Sequence, residues 1–78
     1  MKLEDRIIKT IQSVLDKRPV ITLKSRLVED LQVDSLDKLM ILSALEDEFS
    51  IAIAEEDFVE VVTVRDIVEK LEVQGFGD

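Results

Sequence analysis

Apolar residues in this 78-residue chain recur at steps of three and four in three separate stretches, the period of a helix that buries one face. Strand-like alternation at Ile51-Ala52-Ile53 is too short and too isolated to build a sheet, and that segment is read as a loop. The expected fold is all-α: a small four-helix bundle of three longer helices and one short third helix, with a long loop between the first two. A chain of this length holds one hydrophobic core, so residues 1–78 are read as a single domain, with the core over about 3–73 and a frayed tail at 74–78.

The first helix is expected from Leu3 to about Lys17, with Leu3, Ile7, Ile8, Ile11, Val14 and Leu15 on one face. Glu4 and Asp5 in its first turn and Lys17 and Arg18 in its last suit the helix dipole, and Pro19 stops it. Pro19 to Val33 fits no single period and is read as a loop with one helical turn around Ser25 to Leu31. Val20, Ile21, Leu23, Leu27, Val28, Leu31 and Val33 are expected to pin it to the core. Asp34 then caps a second helix, with Asp37 three residues on completing a capping box, and the helix runs to Phe49 or Ser50. On a helical wheel Leu39, Ile41, Leu42, Leu45 and Phe49 share the core side, while Leu36, Asp37, Met40, Ser43 and Asp47 lie opposite. A short helix is expected over Glu55 to Val61. The last opens at Thr63, with Asp66 as its capping-box partner, and continues through Ile67, Val68 and Leu71 until Gly75 and Gly77 fray it.

The chain has no Cys and no His, which removes disulfides, thiolate or imidazole metal sites, cysteine nucleophiles and any Ser-His-Asp arrangement. An enzyme is not expected, nor a metal site: no EF-hand spacing accompanies the acids at Glu46 to Glu48 and Glu55 to Asp57. No apolar run approaches the ~20 residues of a membrane span. Glu4 and Asp5 stand where a secretory leader would begin its apolar stretch, and a cytoplasmic monomer is expected. Eighteen acids against ten bases give a net charge of -8, which argues against nucleic acid and for protein partners with basic surfaces. Nearly all of the excess lies in residues 35–60, which hold one base and eight acids.

Within that acidic third, Ser35 is a hydroxyl at the start of a helix between two carboxylates, with no base in the chain to make it a catalytic nucleophile. Helix N-terminal amides and the positive dipole end can instead stabilise a phosphodiester on it. The stretch Leu31-Gln32-Val33-Asp34-Ser35-Leu36-Asp37, followed by Ala44-Leu45-Glu46-Asp47-Glu48-Phe49, resembles the acyl carrier proteins, whose Asp-Ser-Leu motif bears a phosphopantetheine arm. Val28-Glu29-Asp30-Leu31, Ile51 to Asp57 and Thr63-Val64 extend the resemblance over about Leu3 to Leu71.

The resemblance implies that Ser35 is the attachment site, flanked by Asp34 and Leu36, and that a phosphopantetheinyl transferase (holo-ACP synthase) places 4'-phosphopantetheine from coenzyme A on its hydroxyl. It also implies docking of acyl-transferring and chain-modifying enzymes through Leu36, Asp37, Met40, Asp47, Glu55 and Glu56, in fatty acid, polyketide or related lipid biosynthesis. A thiol brought by the cofactor suits a chain without cysteine. Four positions depart from the usual pattern: Gln32 replaces a frequent glycine, Lys38 a small polar residue, Met40 a glutamate and Ala54 a proline. Lys38 and Met40 remove negative charge from the docking helix, which suggests a specialised carrier. Two other readings are a carrier of aminoacyl, D-alanyl or peptidyl groups and an unmodified acidic helical interaction module.

Overall fold

The computed structural model describes residues 2–15 and 19–76. In order along the chain, α1 spans Leu3–Val14, α2 Ser35–Phe49, α3 Glu55–Val59 and α4 Val64–Val73, and α1 packs against both α2 and α4. The described residues form no strand beyond an isolated antiparallel bridge between Arg26 and Thr63. One cluster makes the core: Leu3, Ile7 and Ile11 of α1 meet Ile41, Leu42, Leu45 and Phe49 of α2 and Val64, Ile67 and Leu71 of α4.

α1 ends earlier than its apolar period suggests. Leu15 adopts an extended backbone (φ -89°, ψ 124°) and packs against the core from there, while the Ser13 hydroxyl donates to the Thr10 carbonyl at 2.6 Å. The helix stops at Val14, where Leu15 turns extended, so its last turn carries no base. Lys17 and Arg18 lie outside the described residues.

The long loop is tied down by both its backbone and its side chains. The amide of Leu27 donates to the Val62 carbonyl (2.9 Å), and those of Val64 and Arg65 donate to the carbonyls of Ser25 and Leu23 (both 3.0 Å). Ile21, Leu27 and Val33 are buried and Leu23 and Leu31 partly so, but Val20 and Val28 stand in solvent and pin nothing. The helical turn is present: the amides of Asp30 and Leu31 both donate to the Arg26 carbonyl. Asp30 closes it by accepting from the Arg26 amide at 2.8 Å and pairing with the Arg26 guanidinium, which also meets Glu29. The same amide and guanidinium hold the Asp30 carboxyl below the usual carboxylate range.

Both capping boxes form at the expected residues, Asp34 with Asp37 and Thr63 with Asp66. Asp66 accepts from the amides of Thr63 (3.0 Å) and Val62 (2.9 Å), and these bonds lower its pKa against the opposing effect of burial. Leu39 departs from the core side assigned to it: 49% exposed, it sits at the edge of α2 that faces α3. α3 stops two residues before Val61, because Val62 is drawn away by its bonds to Leu27 and Asp66. Phe58 is its one buried side chain. After α4, Gly75 takes a left-handed turn (φ 97°) that lets the Phe76 amide reach the Leu71 carbonyl (3.1 Å). Phe76 therefore does not fray: its ring meets Phe49 edge-on, 5.4 Å between centroids, with the Arg6 guanidinium on Phe49 at 4.4 Å. Gly77 lies outside the described residues.

Candidate functional site

Ser35 is the first residue of α2, and the capping box engages the groups on either side of it. Asp34 Oδ1 accepts from the Asp37 amide at 2.8 Å, the Asp34 amide donates to Asp37 Oδ2 at 3.4 Å, and the Lys38 amide donates to the Asp34 carbonyl at 2.9 Å. The amides of Ser35 and Leu36 and the Ser35 hydroxyl meet no partner among the described residues. Other hydroxyls are engaged locally: Thr10 and Ser13 donate to α1 carbonyls, Ser25 accepts from the Thr22 amide and Thr63 from the Asp66 amide. Ser43 and Ser50 are uncommitted too, but neither stands at a helix N-terminus.

This arrangement fits a phosphate ester. Two carboxylates beside an anion repel it, yet Asp34 and Asp37 are turned onto backbone amides, while two amides and the dipole end of a four-turn helix remain available. The Ser35 side chain is exposed, as a hydroxyl must be to enter another enzyme's active site.

A cleft of about 160 Å³ opens at Ser35 between α2 and α3. Lys38, Leu39 and Leu42 line it from α2, and Glu55, Phe58 and Val59 from α3. The sequence reading gave Glu55 as a docking acid and singled out Lys38 on the docking helix, but it missed the other four. Leu39 and Leu42 carried a signal, lying one and two turns beyond Ser35 on the same side of the helix. For Phe58 and Val59 there was none, because only the placement of α3 brings them there.

The remaining predicted site residues do not all gather at Ser35. Leu36 (64% exposed), Met40 (47% exposed), Ser43 and Asp47 form one stripe on the side of α2 away from the core. Asp37 is committed to the capping box, and Asp47 stands about 18 Å along the helix from Ser35 at 1.5 Å per residue. Glu56 is exposed on α3 but does not line the Ser35 cleft. Two further acids prove structural: Glu46 accepts from the Ile53 amide at 2.9 Å, fixing the segment before α3, and Glu48 pairs with Arg6 at 3.1 Å.

Comparison with known proteins agrees with this geometry. Residues 5–71 match the family described as phosphopantetheine attachment site. The acyl carrier proteins of Rickettsia canadensis and Rickettsia prowazekii are each 35% identical to the chain over 69 residues, covering 87% of it and 80% of the relative. A solved Mycobacterium tuberculosis structure, described as that of an acyl carrier protein, superimposes with a TM-score of 0.84 at 39% identity. It covers 91% of this chain and 96% of the other.

Proposed function

The chain belongs to the acyl carrier proteins, which carry acyl groups on a covalent phosphopantetheine arm, and from that membership we propose that Ser35 bears the arm. The observation that carries the reading is the exposed Ser35 hydroxyl, unengaged at the first residue of a capped helix. When attached, the arm supplies the thiol on which acyl groups are held as thioesters. The amides of Ser35 and Leu36 stabilise the phosphodiester, and the Asp34–Asp37 box fixes the first turn so that these donors do not fray.

Docking falls to the exposed stripe of α2 and the acids beyond it. Leu36 and Met40 offer an apolar strip beside Ser35, and Asp47, Glu55 and Glu56 attract basic surfaces of the transferase and of acyl-transferring and chain-modifying enzymes. Exposed charge pairs, each contributing about 0–1 kcal/mol, speed encounter without trapping the complex. Met40 rejects partners that place an arginine opposite it, because the charge would be buried unpaired. The setting is a cytoplasmic monomer in fatty acid, polyketide or related lipid biosynthesis. Incubation with coenzyme A, Mg²⁺ and a broad-range phosphopantetheinyl transferase should add one arm, located at Ser35 by peptide mapping and abolished by Ser35→Ala. Addition at another residue, or none, would refute the assignment.

A further inference from the structure

We propose that the Phe58 ring is the partition that sets how long an acyl chain this carrier can shelter; the inference rests on Ser35 bearing the arm. Two clefts lie on either side of α3. One, of about 160 Å³, opens at Ser35, and the other, of about 220 Å³, is lined by Ile53, Ile67, Leu71 and Val73, with Asp57, Lys70 and Gln74 also on its wall. Phe58 is the residue common to both linings, and it is 4% exposed.

A closed apolar cavity of ~150 Å³ takes up benzene, so the volume of the cleft at Ser35, which is open to solvent and bordered by Lys38 and Glu55, matches about six carbons. An acyl chain held near Ser35 buries successive methylenes against Leu39, Leu42 and Val59 until it meets the ring. Each further methylene would gain from entering the second cleft, but only after the ring is displaced. A buried aromatic side chain holds as much apolar surface as several methylenes, so the exchange is unfavourable for a chain only slightly too long. The carrier therefore shelters short chains and leaves the distal carbons of long ones at its surface.

The test loads Ser35 from acetyl-, butyryl-, hexanoyl-, octanoyl- and dodecanoyl-coenzyme A with a transferase, confirms each product by intact mass, and measures its melting temperature. In the wild-type protein the melting temperature should rise from acetyl to hexanoyl, by about 4–8 °C for each kcal/mol gained, and then level off. The methyl NMR signals of Ile67 and Leu71 should stay in place even with dodecanoyl. In Phe58→Leu, which keeps an apolar side chain in the core, the rise should continue to octanoyl or beyond and those signals should shift. A wild-type melting temperature that climbs through dodecanoyl with shifts at Ile67 and Leu71 would overturn the partition, as would no response to length at all. Failure to load Ser35 would refute the carrier assignment of that serine, and the inference with it.

Discussion

Gln32 and Ser50 bracket α2 in left-handed backbone conformations, with φ of 56° and 54°. For a residue with a Cβ this region costs about 1–2 kcal/mol, and glycine removes that cost while losing about 0.4–1 kcal/mol through its freer unfolded chain. Gln32→Gly should thus stabilise the fold by about 0.5–1 kcal/mol, read as a higher urea midpoint with an unchanged slope. An unchanged or lower midpoint would show that the Gln32 side chain contributes more than its backbone costs. The frequent glycine that Gln32 replaces was visible in the motif, but the strain was not, since φ is set by the need to join the Leu27-bonded Val33 to the cap at Asp34. The place of Ser35 at the first turn of a capped helix was legible, because it depends on residues three apart in the sequence.

At the scale of elements, what the sequence revealed was whatever is decided locally. The boxes at Asp34 and Thr63 depend on residues three apart and formed as expected. The ends of α1 and α3 did not, because Leu15 stops the first by packing in extended form and Val62 stops the second by bonding to the loop. Leu39 was misplaced for a related reason: a wheel separates core from solvent but cannot show the seam where α3 lies alongside. Asp66 yields a pH dependence. The amides of Thr63 and Val62 lower its pKa in the folded protein, so folding favours its ionised form. That stability is complete above the unfolded value near pH 4 and is lost as pH falls through the depressed folded value. Asp66→Ala should destabilise by about 1 kcal/mol at pH 7, and the difference from wild type should shrink below about pH 4. A difference of constant size down to pH 2 would mean that the charge of Asp66 is not what matters.

Over the whole molecule, the net charge of -8 is uneven, with a net -7 between residues 35 and 60. Arg6 offsets part of it at Glu48, while Asp47, Glu55, Glu56 and Asp57 stand exposed on α2 and α3. Like charges on neighbouring helices oppose compaction, so added NaCl or millimolar Mg²⁺ should raise the melting temperature. A fall on adding salt would show that the ion pairs at Arg6 and Arg26 outweigh the repulsion. The central claim, that this bundle exists to hold an acyl arm at Ser35, is tested most directly by the intact mass of the protein recovered from its native host. The account predicts a population carrying one phosphopantetheine, part of it acylated, that disappears when Ser35 is replaced by alanine. Protein recovered wholly unmodified, or modified with Ser35 absent, would contradict it.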